Sequence, residues 1–208
     1  MKRNLSLFAG ILMVVIYLAF AFLAKAGFPG RYSPLQNWLS DLGSFQLNPK
    51  GALFYNLGIV LAGALLLPFF SGLGACRLAG NRTQNAMLLL TQIFGALGAF
   101  AMVMSAVFPI SVPGVHSILS AALYILLGTA FGFSVAALRY YPRYPKWALA
   151  AGVLVAIEDM LWGMVLNIYI MEWVTVALFL AYVLLLAVET KRLQGIQPPI
   201  SRLRQLAL

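Results

Sequence analysis

His116 is the sole histidine of the chain, and Asp41 is the acid expected at its depth. A carboxylate that orients an imidazole makes a general base. Such a base draws the proton from a hydroxyl. Ser40 stands beside Asp41, and Ser120 follows His116 by four residues, on the same helix face; either could then be a nucleophile. The structural reading of the same residues is that Asp41 caps or joins an ion pair, and that His116 hydrogen-bonds at a helix end. With one His and one Cys, Cys76, a zinc site of several histidines or cysteines is excluded, and so is an internal disulfide. An oxygen-rich or one-histidine site on Asp41 and Glu172 is the remaining metal arrangement, and no metal or cofactor is expected.

Two more acids, Glu158 and Asp159, fall in the middle of an apolar run, where ionisable groups are expensive and usually functional. Neighbours point about 100° apart on a helix, so the two cannot share one narrow face. Asp159 belongs to a small and polar stripe with Gly152, Ala156, Gly163 and Asn167, which should pack closely on another helix. Glu158 lies with Leu154, Leu161, Trp162 and Val165, and is expected to face a cavity or to pair with a polar group such as Gln92 or Ser105 on the third span. A proton relay or substrate anchor is one reading of the pair; an interhelical clamp is the other.

The elements that must hold these groups follow from composition. The chain has 208 residues, 62% apolar and 9% charged, against roughly 45–50% and about 25% in a soluble domain. A soluble globule and a disordered chain are both excluded. About 20 apolar residues cross a bilayer as a helix. Six segments qualify, at about 5–25, 52–75, 86–109, 116–138, 147–168 and 171–190, and together they predict an all-α, polytopic, six-helix bundle forming one transmembrane domain. The run from Leu5 to Ala24 is too long for the apolar core of a cleaved signal, so it reads as a retained span. The net charge of +9 lies in short clusters between spans, which makes it a topology signal rather than a nucleic-acid footprint. Eleven of the 14 basic residues fall on one side; Lys25, Arg31 and Lys50 fall on the other. Both termini are therefore expected in the cytoplasm, the protein being integral to the cytoplasmic (plasma) membrane, with residues 191–208 as a cytoplasmic tail. That tail reads either as disordered or as a short segment lying on an anionic inner leaflet.

Residues 26–51 are the one long loop, on the outer side, and they carry helix signals. Ser33-Pro34-Leu35-Gln36 reads as a capping box, with Pro34 at the first helical position and Gly43 as the stop. Between them Leu35, Trp38, Leu39 and Leu42 make an apolar face. Asn37, Ser40, Asp41 and Ser44 make a polar one. The spacing predicts a short amphipathic outer helix of about nine residues, too short to span. Asn48-Pro49 starts the second span, with Tyr55 and Asn56 a turn or two in. On the same side Phe108-Pro109 ends the third span and His116 opens the fourth.

Asn37-Trp38-Leu39-Ser40-Asp41-Leu42-Gly43, Asn48-Pro49, Phe54-Tyr55-Asn56-Leu57-Gly58, Phe108-Pro109 and His116 together resemble the bacterial and archaeal membrane family called domain of unknown function 998. More remotely the chain is similar to the Frag/DRAM/Sfk-type membrane proteins, some of which are linked to lipid handling. The resemblance implies a six-spanning fold over most of the chain and names no activity. Where many members carry an acid between the Phe-Pro and the His, this chain has Ile110-Ser111-Val112.

Gly58-xxx-Ala62, Gly95-xxx-Ala99 and Gly128-xxx-Gly132 are close-packing motifs. Gly72-Leu73-Gly74 and Gly95-Ala96-Leu97-Gly98 follow no strand, so a dinucleotide fingerprint is rejected. Three functions are expected, in order. The first is an outward polar pocket for a lipid or small amphiphile, and, if the protein is an enzyme, a membrane-embedded hydrolase or transferase acting on lipid through Asp41, His116 and Ser40. Asn37, Asn56, Ser120, Glu158, Asp159 and Asn167 would contact its substrate. The second is a proton-coupled transporter using Glu158 and Asp159. The third is an accessory or sensor subunit. The expected partners are membrane lipids and, through the small-residue faces, a second copy or another membrane subunit, but not nucleic acid.

Overall fold

The computed structural model of the protein describes residues 4–164 and 168–196. Within them the chain is all-α. It forms six long helices: α1 (Leu5–Ala26), α2 (Ala52–Leu73), α3 (Arg82–Val107), α4 (Pro113–Leu138), α5 (Lys146–Met164) and α6 (Tyr169–Ile196). Five of them, all but α5, are long and apolar enough to cross a membrane by length and composition. The protein is a polytopic helical membrane protein. Asn81 caps α3 by accepting from Gln84 N at 2.9 Å, and Pro113 opens α4 at a first-turn position where its missing N–H costs nothing. The third and fourth helices begin earlier than their apolar runs, and α6 continues past 190 to Ile196. Polar residues tolerate helix outside the apolar zone, so apolarity marks the span and not the helix end.

The helices pack on their chain neighbours in order, and α6 returns to α1, closing the ring. Small residues allow this. Gly58 lies on Phe20 of α1, and Gly95 lies against the ring of Phe70 on α2. A Cβ on Gly128 of α4 would stand 2.9 Å from Ala156 O and 3.0 Å from Asp159 Cβ. Gly152 meets the Tyr182 hydroxyl. The small-residue motifs and the described part of the α5 stripe thus bring helices of one bundle together. Asn167 and the surroundings of Gly163 lie outside the described residues, as does the tail from 197 on. Aromatic rings bridge the centre: Phe131 of α4 sits 6.3 Å from Phe70, 5.9 Å from Phe179 and 4.9 Å from Tyr182, centroid to centroid. Large apolar side chains such as Phe8, Phe22, Phe100 and Ile118 are exposed, as helix faces against acyl chains must be.

The first loop departs from expectation. The helical part is a five-residue 3-10 helix, η1 (Leu39–Gly43), and not a nine-residue amphipathic helix from Pro34. Ser33 does start a turn, with its Oγ accepting Leu35 N at 3.3 Å and its carbonyl accepting Gln36 N and Asn37 N. But the side chain that reaches back to Ser33 N is Asn37 Oδ1, at 3.1 Å, and not that of Gln36. That closes the turn, and Trp38 then goes extended (φ −65°, ψ 148°). Leu35 is left 73% exposed, while Leu39 and Leu42 are buried. Gly43 ends the helix, as its position predicts.

Candidate functional site

Between the helices, at the end that carries the first loop, lies a partly open cavity. Its walls are mostly apolar, with Ile59 from α2, Met102 and Ala106 from α3, Leu123 and Leu127 from α4, and Val176 and Phe179 from α6. Its polar groups are Tyr17, Ser40, Tyr55, Asn56, Ser105, His116, Ser120, Tyr124 and Glu172. These come from five helices and the loop, so no single stretch of sequence contains the site.

His116 lies in the first turn of α4, against the end of α3. Its Nδ1 is 3.1 Å from Ser105 O and 3.0 Å from Phe108 O. The last carbonyls of a helix have no intrahelical partner, and an imidazole N–H satisfies two of them at once. Carbonyl oxygens only accept, so Nδ1 carries the hydrogen. In the neutral ring Nε2 is then bare, and Ser120 Oγ stands 3.3 Å from it. Ser120 differs in this from other helical hydroxyls: Ser117, Thr129 and Thr91 all turn back to the carbonyl four residues before.

Tyr17 and Tyr55 meet through their hydroxyls at 3.4 Å, both buried. Two O–H groups share one bond, so one hydrogen of the pair points to no acceptor among the described residues.

The loop is stitched over this end of the bundle. Glu172 Oε2, in the first turn of α6, accepts Leu39 N at 2.6 Å and Ser40 N at 3.4 Å, and the Ser40 side chain serves the same carboxylate. The N–H groups at the start of a helix lack partners; η1 takes an acceptor for them from a residue 133 positions away. Trp173 Nε1 donates to Asn37 O at 3.1 Å. Asn56 Nδ2 donates to Gly43 O at 2.9 Å, and Phe45 N donates to Ser111 Oγ at 3.2 Å. Asn48, fully buried, accepts Gly51 N and donates to Ala24 O and Leu42 O, tying both loop ends to the close of α1. The Tyr32 hydroxyl donates to Trp38 O at 3.0 Å. Burial, together with the nearby Glu172 and Asp41 charges, pushes this phenol up, so it remains a donor.

Asp41 serves this loop. Its Oδ2 accepts Trp38 N at 3.1 Å and Asn37 Nδ2 at 3.5 Å. Burial pushes its carboxyl above the usual aspartate range, against the pull of those two donors. Asp41 does not line the cavity, and its bonds run to the loop while those of His116 run to α3 and Ser120. The acid in the cavity is Glu172. Of the residues that sequence reading brought together, His116, Ser120, Ser40 and Asn56 share the cavity; Asn37 and Asp41 lie in the loop above it. The sequence signal for Glu172 was its place as an acid at the outer end of the last span. Tyr17 carried no such signal.

Glu158 Oε1 accepts from Thr175 Oγ1 at 2.5 Å, so its partner is on α6. The expected partners on α3 are engaged elsewhere: Gln92 donates to Phe70 O and Ser71 O, and Ser105 donates to Met102 O. Asp159, 1% exposed and packed against Gly128, has no partner for either oxygen among the described residues. No three His, Cys, Asp or Glu side chains gather among the described residues.

Residues 11–189 match the model of a family described as a protein of unknown function, DUF998, and the chain belongs to that family. No curated protein and no solved structure matches it, so the remoter likeness to Frag/DRAM/Sfk-type proteins is not shown.

Proposed function

We propose that this member of the DUF998 family binds a lipid or small amphiphile in the cavity under its first loop, with the loop end of the bundle facing out of the cytoplasm. The observation that carries this is the division of the cavity into two kinds of surface. Apolar side chains from α2, α3, α4 and α6 form one, and His116, Ser120, Ser40, Asn56 and Glu172 form the other. An amphiphile satisfies both: its chain lies along Ile59, Leu127 and Phe179, and its head group meets the hydroxyls and imidazole. The distribution of basic residues supports the orientation.

The test is native mass spectrometry of protein extracted in a mild detergent. The wild type is expected to retain an amphiphile. Leu127→Trp and Ala106→Trp, which fill the cavity, are expected to lose it, while Leu35→Trp, on an exposed site, keeps it. Equal retention in all four proteins would sink the reading.

A second reading, a proton-coupled transporter using Glu158 and Asp159, is favoured by one observation: Asp159 is buried in the bundle with neither oxygen partnered among the described residues. An ionisable group kept in that state calls for a role.

A further inference from the structure

We propose that Ser120 and His116 form a nucleophile–base dyad that cleaves an ester of the bound amphiphile; this rests on the cavity reading above. Three observations converge. First, Ser120 Oγ turns to His116 Nε2, 3.3 Å away, instead of to the carbonyl four residues back. Second, the ring is held in the one tautomer a base needs. The Ser105 and Phe108 carbonyls hold the hydrogen on Nδ1, so Nε2 faces the serine. Backbone carbonyls at the end of α3 do here what a buried carboxylate does elsewhere, and Asp41 is not required. Third, the same cavity contains the spare O–H of the Tyr17–Tyr55 pair, a buried donor that wants an acceptor such as an ester carbonyl oxygen.

The step balances with water as the only co-reactant. Ser120 Oγ attacks the ester carbonyl carbon while its proton passes to His116 Nε2. The carbon–oxygen bond to the alcohol breaks, and the alcohol leaves with that proton. Water then attacks the acyl carbon and gives a proton to Nε2. Ser120 departs and takes that proton back, releasing the carboxylic acid.

The experiment treats the full-length protein in detergent with a long-chain alkyl fluorophosphonate, from which a serine oxygen displaces fluoride. Intact mass and peptide mapping read the adduct. One phosphonyl adduct on Ser120 is expected in the wild type and in Ser117→Ala. It is absent in Ser120→Ala, and its formation slows about a hundredfold in His116→Gln. Mapping in the wild type locates the adduct whether or not the variants fold. No adduct, or one elsewhere, with the amphiphile still retained in native mass spectra, overturns the dyad and leaves the binding reading standing. No adduct together with no retained amphiphile overturns both.

Discussion

The carboxylate of Glu172 accepts the backbone N–H of Leu39 at 2.6 Å, joining the first turn of the last helix to the first loop. Through this bond and its weaker companion to Ser40, a 3-10 helix of five residues is held over the cavity. Removing the acceptor leaves a buried N–H unpaired, at a cost of about 1–3 kcal/mol. Glu172→Ala should therefore lower the thermal unfolding midpoint in detergent and expose residues 26–51 to protease. Glu172→Gln keeps an acceptor oxygen and should fall between Ala and wild type. A loop equally resistant in all three proteins would contradict this anchoring.

The two ends of the loop meet where no side chain fits. A Cβ on Gly51 would collide with Ala24 O and the Asn48 amide, and both are fixed by the bonds that Asn48 makes. Gly51→Ala is expected to cost about 2 kcal/mol. Gly114→Ala has nothing within 4 Å and lies in the first turn of α4, so it should be neutral or gain up to about 1 kcal/mol. Unfolding midpoints of the two variants check the contrast.

Asp41 gives the loop a pH dependence. Its folded-state value is raised by burial, above the ordinary ~3.9. A raised value means that the fold favours the protonated acid. That contribution to stability is fully present below the unfolded value and is lost as pH rises through the folded one. Fluorescence of Trp38, differenced against Trp38→Phe, should show a transition above the ordinary aspartate range. Asp41→Asn should abolish it; a transition that survives Asp41→Asn would belong to another group.

The two acids of α5 should behave oppositely. Thr175→Val removes the partner of Glu158 and should cost about 1–3 kcal/mol. Asp159→Asn removes a buried carboxyl that has no partner among the described residues, so the unfolding midpoint should stay or rise. A rise is the signature of a group kept at a cost to stability. Proton flux in liposomes separates the readings: flux lost in Asp159→Asn supports transport, and no difference from wild type counts against it.

Much of this was legible along the chain. Apolar runs of about 20 residues declare helices in a bilayer because backbone groups there have to be satisfied within the segment. Six helices, their order and the closing role of Gly43 follow from local pattern. His116 and Ser120, four residues apart, were bound to share a face once α4 formed. The extent of helix in the first loop was not legible, because the turn signal at Ser33-Pro34 is the same for a helix and for an isolated turn. The choice fell to Asn37, whose side chain closes the turn, and to Glu172, far off in sequence, which accepts the N–H groups that start η1 at Leu39.

Partner choice was not legible. Asp41 and Glu172 are both acids near the same end of the bundle, and composition favours neither for the cavity. Gln92 and Ser105 on α3 were the polar partners expected for Glu158, and Thr175 receives it because α6 packs on α5 in a closed ring. The sequence alone determined a six-helix membrane bundle, since period and hydropathy act within each segment. Which carbonyls hold the imidazole, which acid anchors the loop and where the cavity lies were decided only by the tertiary structure. Those facts depend on which helix faces meet, and close packing of all six helices sets that jointly.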